Sequence, residues 1–325
     1  MASNITRRAL TLAAASLLPC TVRAQSPNWP SGPVRLVVGF PPGGGNDLLA
    51  RIVAEHMSTT FGQPFVVENR PGGSGVIAID AVKRAAPDGQ TLLIGPSSGM
   101  TVNPVVLPSV SYDPVRDFAP IGIIGNFPLV VVVNPSNPAR SLGELIERAK
   151  ARPGEVTYAS AATSFQMATE VFAAEAGVKL LHVPYRGSAP AVQAVLSNEV
   201  ALAFGDMAAV LPVVQAGQLR ALAISTPQRS SALPEVPTIA EAGVPGYALV
   251  LWSAMFAPRD TPSAITGRIH SELARLTGLP AFRERLGKLG VEAVGSTPEV
   301  LTSTMRAELE KFRAVAQTAG IRAGN

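Results

Sequence analysis

Three groups of residues have the types and spacing that chemistry would need. Gly95-Pro96-Ser97-Ser98-Gly99 follows an apolar run and matches Gly-x-Ser-x-Gly, the turn that exposes a nucleophilic serine. The chain order Ser, Asp, His that such a hydrolase requires is met on paper by Ser97, Asp206 and His270. The context opposes it, because the turn must feed a helix at once and Asn103-Pro104 and Leu107-Pro108 interrupt the next residues. His270 also falls on the apolar–polar boundary of a tail helix, where a surface residue belongs. A serine hydrolase using Ser97 therefore stands as the alternative, and Ser97 and Ser98 read better as hydroxyl donors to a bound carboxylate.

The second group is Phe40-Pro41-Pro42-Gly43-Gly44-Gly45, a glycine-rich turn between a strand and a helix. Such a turn aims free backbone amides and the positive end of a helix dipole at one point, so Phe40, Pro42, Gly43 and Gly44 are candidates for a carboxylate or phosphate cradle. The bland alternative is a tight turn using glycine for its backbone freedom. Neither Gly-Lys-Ser/Thr nor Gly-x-Gly-x-x-Gly is present, which argues against nucleotides. The third is Asp206, just after the apolar run Ala201 to Gly205, at a strand's carboxyl end where open sheets bind ligands. It serves equally as an N-cap for a helix from Met207. His56 and His182 are too isolated for a metal or a proton relay, and no cofactor is expected.

These groups need elements to hold them. From Val34 onward, short β-branched runs alternate with longer helical runs, the pattern of α/β sheets with crossover helices. Val34 to Phe40, Phe65 to Glu68 and Thr91 to Gly95 read as strands, with a helix carrying Leu48, Leu49, Ile52, Val53 and Met57 on one face. Leu129 to Val133 is apolar enough for burial on both faces and opens a second series of units. Its first helix begins with the capping box Ser141-Leu142-Gly143-Glu144. Val250 to Ala257 is a second apolar passage, and Thr261-Pro262 and Thr297-Pro298 each place a cap before a proline. The expectation is two parallel-type sheets flanked by helices and joined by two crossover strands, with residues 27–127 and 251–325 as lobe 1 and 128–250 as lobe 2. A cleft between such lobes is a favoured ligand site.

A chain of 325 residues, 47% hydrophobic and 15% charged, can fill two cores. Arg7-Arg8, an apolar run from Ala9 to Leu18 and the exit Val22-Arg23-Ala24 form a signal peptide over residues 1–24, of Sec or twin-arginine type, so a periplasmic location is expected. Pro19 before Cys20 fits a lipoprotein box poorly, and cleavage after Ala24 removes the only cysteine. Loss of Arg7, Arg8 and Arg23 takes the formal charge from +4 to +1, which with scattered basic residues removes the case for nucleic acid. No other apolar stretch reaches the ~18 residues of a membrane span.

Several ordered motifs resemble those of the tripartite tricarboxylate transporter substrate-binding proteins, also called the Bordetella uptake gene family. They are Phe40 to Asp47, Val67-Glu68-Asn69-Arg70-Pro71-Gly72, Ala86 to Leu93, Tyr112 to Pro120, Val183-Pro184-Tyr185-Arg186-Gly187-Ser188-Ala189-Pro190, Leu233 to Thr238 and Gly295 to Glu299. The resemblance covers essentially the whole mature chain. It implies a two-lobed type II periplasmic-binding-protein fold, a small organic acid or related carboxylate ligand, no catalysis, and a membrane transporter as partner. A sensor ectodomain is the other partner the reading leaves open, and a monomer is expected. The loop Ser160-Ala161-Ala162-Thr163-Ser164-Phe165-Gln166 departs from the family, being shorter and without its glycines and histidine. That loop faces the ligand in the family, which adds Ala161, Thr163 and Ser164 to the candidates, while Tyr185, Arg186 and Trp252 are further cleft-lining candidates.

Overall fold

The computed structural model describes residues 29–321 apart from Arg186 and Ala248. The expected signal peptide, Cys20 and Arg186 lie outside the described residues. The chain begins with β1 (Val34–Val38), α1 (Gly45–Phe61), β2 (Phe65–Asn69), α2 (Val76–Lys83) and β3 (Thr91–Pro96). A π-helical turn, Ser98–Val102, and α3 (Asn103–Val106) precede β4 (Phe118–Phe127). The second series is β5 (Leu129–Val133), α4 (Leu142–Ala151), β6 (Thr157–Ser160), α5 (Thr163–Ala176), β7 (Leu181–Pro184), α6 (Ser188–Leu196), β8 (Leu202–Asp206), α7 (Met207–Gln215) and β9 (Arg220–Ile224). The chain ends with β10 (Leu251–Pro258), α8 (Ser263–Gly278), α9 (Pro280–Gly287), β11 (Glu292–Ala293) and α10 (Pro298–Ala319).

Two sheets result, ordered β11-β4-β10-β3-β1-β2 and β7-β6-β8-β5-β9. Only Pro128 separates β4 from β5, so the chain passes between sheets there and returns between β9 and β10. The expected parallel sheets are mixed: β10 runs antiparallel to both β3 and β4, and β5 runs antiparallel to both β8 and β9. The reason is topological. A strand arriving from the other sheet enters at the carboxyl ends of the parallel strands and must run against them.

Register fixes what meets at those ends. Val38 lies opposite Ile94 and Asn69, and Pro96 lies opposite Ser253, so the loops after β1 and β3 emerge beside the start of β10. In the other sheet Leu129 faces Asp206, and Ser160 faces Pro184. Alternation along the strands supplies a core on each face. Leu36, Val38 and Ile94 pack under α1 and α8, while Val37 and Leu93 pack with Ile79 of α2 and Met305 of α10. Val131 and Val133 face one side of the second sheet, and Val130 and Val132 the other.

Helix ends depart from the sequence reading in detail. Ser141 Oγ accepts from the Glu144 amide (3.2 Å), but the Glu144 carboxylate accepts from Arg140 N–H (2.7 Å), one residue earlier than a capping box. Thr297 caps α10, whereas Thr261 does not cap α8, because its hydroxyl donates to Pro258 O (2.8 Å) and the helix starts at Ser263. Val102, Val106, Phe312 and Ala316, from 27–127 and 251–325, share the core of the second sheet with Val131 and Phe172.

Candidate functional site

The ends of the two sheets enclose a cavity of about 630 Å³, within the range of small-molecule sites. Phe40, Gly45, Asn46, Ser97, Ser98 and Trp252 line it from the first sheet; Thr163, Ser164, Ser188, Asp206, Met207 and Ala208 line it from the second. The first turns of α1, α5, α6 and α7 therefore all open on the same space. The first amides of a helix have no intrahelical acceptor, and each N-terminus carries about half a positive charge. Among the described lining residues there is no Lys, Arg or His, and Asp206 is the single charge. The site is one of neutral donors with partial positive charge.

The glycine turn supports this geometry differently from the sequence expectation. Pro42, Gly43 and Gly44 are exposed and lie outside the cavity lining, whereas Gly45 and Asn46 line it. Gly43, at φ +86°, donates its amide to Asp47 Oδ2 (2.8 Å), so that amide is not offered to a ligand. Pro42 has no amide to offer. Asp47 is almost wholly buried and also accepts from Arg51 Nε (3.0 Å) and Asn69 Nδ2 (2.9 Å). Burial alone would push its carboxyl up, but the bonds from Arg51, the Gly43 amide and Asn69 outweigh this and hold it below the usual range. The turn is thus braced from behind by a carboxylate, and the free donors lie one step later, in the first turn of α1.

Of the remaining sequence candidates, Phe40, Ser97, Ser98, Thr163, Ser164 and Asp206 are brought together at the cavity. Ala161 and Tyr185 are not among its lining residues. Ala161 O accepts from Gly187 N–H (3.1 Å), and the Tyr185 hydroxyl donates to Glu199 Oε1 (2.8 Å). Asp206 Oδ1 accepts from the Ala209 amide (3.0 Å) as the cap of α7, and the residue borders the cavity.

The hydrolase arrangement is not assembled. β3 does feed helical structure at once: the π-helical turn runs straight into α3 with Pro104 inside the run, and the Tyr112 hydroxyl donates to Gly99 O, so the proline objection fails. The catalytic partners are missing instead. Ser97 is 3% exposed and its Oγ accepts from Trp252 N–H (3.2 Å). His270 Nδ1 is bonded to Ile121 O (3.0 Å), His56 to Glu272 (2.6 Å), and His182 to Ser160 (2.6 Å), a buried serine outside the cavity lining. Among the described residues no group of His, Cys, Asp and Glu is placed to hold a metal ion.

Residues 49–321 match the tripartite tricarboxylate transporter family receptor. The chain belongs to this family. Protein BugT of Bordetella pertussis strain Tohama I is 37% identical over 295 residues, covering 90% of each chain. The structure is similar to that of R. palustris Rpa4515 with adipate, at TM-score 0.77 and 38% identity over 90% of this chain and 99% of that one. MatC of Rhodopseudomonas palustris with bound malate aligns at TM-score 0.73 and 28% identity over 88% and 99% of the two chains. Like other tripartite tricarboxylate transporter receptors, the chain has the two-lobed solute-binding fold, and it is a solute-binding protein. Family members are periplasmic binding proteins, and no helix among the described residues is long and apolar enough to cross a membrane.

Sequence reasoning missed lining residues that open the helices beside its candidates: Gly45 and Asn46 just after Gly44, Ser188 three residues after Tyr185, and Ala208 two after Asp206. The available signal was the helix start itself. Leu289 and Gly290, in the loop after α9, had no such signal. Gly290 has φ +68°, and a Cβ there would stand 2.9 Å from the Ala208 amide nitrogen, so this loop reaches α7 only because it carries glycine.

Proposed function

We propose that the cavity captures a small carboxylate-bearing molecule and releases it unchanged. The observation that carries this reading is the convergence of four helix N-termini on one space whose described lining has no cationic side chain. A carboxylate would be held by α1 amides and the Ser98 hydroxyl from one sheet, with the rest of the molecule meeting Thr163, Ser164, Ser188 and Asp206 from the other. The adipate and malate of the two structural relatives are acids of this size. The N-terminal signal supports export to the periplasm, where a membrane transporter or a sensor ectodomain would take the loaded form from a monomeric receptor. The grouping of the strands into two sheets supports a division into 27–127 with 251–325 and 128–250, with α3 and the end of α10 packing on the core of the second sheet.

A thermal-shift screen over monocarboxylates, adipate, malate and other dicarboxylates tests the reading. A ligand at a hundredfold excess over its dissociation constant should stabilise the protein by about 2.7 kcal/mol. A melting temperature unmoved by the whole panel would sink the carboxylate reading. Recovery of the ligand with altered mass, or hydrolysis of an activated ester that is lost in Ser97→Ala, would show turnover and overturn the receptor role.

A further inference from the structure

Behind the cavity wall stands a carboxylate that ligand binding as described does not use. Glu308, on α10, accepts from the Trp252 indole Nε1–H (2.9 Å) through Oε1 and from the Thr101 hydroxyl (2.7 Å) through Oε2. Trp252 lines the cavity, and its backbone amide donates to Ser97 Oγ. Thr101 belongs to the π-helical turn that begins with Ser98. One carboxylate therefore grips two neighbouring parts of the binding wall from the far side.

Thr101 has one hydroxyl proton and two acceptors within reach, Glu308 Oε2 at 2.7 Å and Ser97 O at 2.9 Å. With Glu308 ionised, the proton points to the carboxylate. With Glu308 protonated, the acid can donate to Thr101 Oγ1 while Thr101 turns its proton to Ser97 O, and the other acid oxygen still accepts from the indole. Both states keep every polar atom bonded, so the wall survives the change of charge.

We propose that Glu308 is a positioning residue of this site, setting the Trp252 indole and the Ser97–Thr101 turn, and that the cavity binds its carboxylate ligand more tightly when Glu308 carries a proton. This rests on the carboxylate reading of the cavity. A ligand anion against the wall adds a second negative charge near a partly buried carboxylate, and like charges in a poorly solvated site favour protonation of one of them. Burial pushes Glu308 up to about 7, against the bonds from Thr101 and Trp252 and the attraction of Lys311. Lys311 is itself paired with Glu175 of α5. α5 also carries Glu170, which accepts from the Tyr158 hydroxyl (2.6 Å), and β4, β10, α3 and the π-helical turn present no charged residue. Asp206 is the one described charge in the cavity itself.

The test uses the full chain with Trp29→Phe, which leaves Trp252 as the sole tryptophan. Without ligand, its indole fluorescence should titrate between pH 6 and 8.5, and the transition should vanish in Glu308→Gln, whose amide oxygen and nitrogen can keep both bonds. With adipate as probe, calorimetry should show roughly threefold to tenfold tighter binding at pH 6 than at pH 8.5 and proton uptake on binding. Glu308→Gln should bind adipate at both pH values with the affinity the parent shows at pH 6, any pH dependence left being that of adipate itself. Glu308→Leu, which strands the indole N–H and Thr101, should bind weakly throughout. Adipate bound with the same pH profile by parent and Glu308→Gln, or a fluorescence transition that persists in Glu308→Gln, would overturn the inference and leave the receptor reading intact. A fluorescence transition lost in Glu308→Gln, with no carboxylate of the panel binding at any pH, would instead overturn the receptor reading and with it the ligand half of the inference.

Discussion

Asp206 carries two demands on one side chain. Its Oδ1 caps α7, while the residue sits on the border of a cavity whose other described lining residues are neutral. A carboxylate there repels a second ligand carboxylate by roughly 1–4 kcal/mol, depending on how much water screens the pair. Asp206→Asn keeps the capping oxygen and the size, so the protein should fold with little change in stability. Relative affinity for a dicarboxylate over a ligand bearing an amine or amide opposite its carboxylate should rise by about 1 kcal/mol, or roughly fivefold. Paired calorimetric titrations of the two proteins measure this. An unchanged ratio would reduce Asp206 to a helix cap and move selectivity to Thr163, Ser164 and Ser188.

At the scale of the element, the first turn of α1 depends on Asp47 behind it. The buried carboxylate ties the Gly43 amide, Arg51 and Asn69 into one unit, so the turn is held by a side chain rather than by glycine alone. Asp47→Asn keeps one acceptor and loses the charge, and should destabilise the protein by about 2 kcal/mol at pH 7. The sign with pH follows from the depressed carboxyl. Asp47 contributes its full stabilisation above its ordinary value of 3.8 and loses it as pH falls through the lower folded value. Denaturant unfolding at pH 7 and pH 3 should therefore show the gap between parent and variant narrowing in acid. A gap that is constant or widens would mean that Asp47 is not the ionised brace of the turn.

Across the whole molecule, α10 couples the two lobes. Leu301 and Met305 pack on the first sheet, Phe312 and Ala316 enter the core of the second, and Lys311 pairs with Glu175 of α5. The chain passages between the sheets and this helix thus join the lobes. The shared core should make unfolding a single transition by calorimetry. Phe312→Ala, removing a side chain that is 2% exposed, should lower stability by about 3–5 kcal/mol. Two separate transitions in the parent, or a midpoint unmoved in Phe312→Ala, would show that the lobes fold independently of α10.

What the sequence determined by itself was local and periodic. The strands around Leu92 and Val131 were legible because burial on both faces demands uninterrupted apolar residues, and the cap at Thr297 because an orphan amide needs a nearby oxygen. Phe40, Ser97, Ser98 and Asp206 were legible because they follow strands, where sheets of this kind present ligand-facing loops, while Thr163 and Ser164 came only from the family resemblance of their loop. Tertiary structure decided what depends on partners distant in sequence. That Gly43 serves Asp47, that Tyr185 turns to Glu199, and that Gly290 reaches the start of α7 are pairings no periodicity encodes. The mixed sheets follow from the direction in which each passage re-enters, and the place of Glu308 behind Trp252 from the path of α10, because hydrogen bonds and desolvation act between groups the chain brings together only on folding.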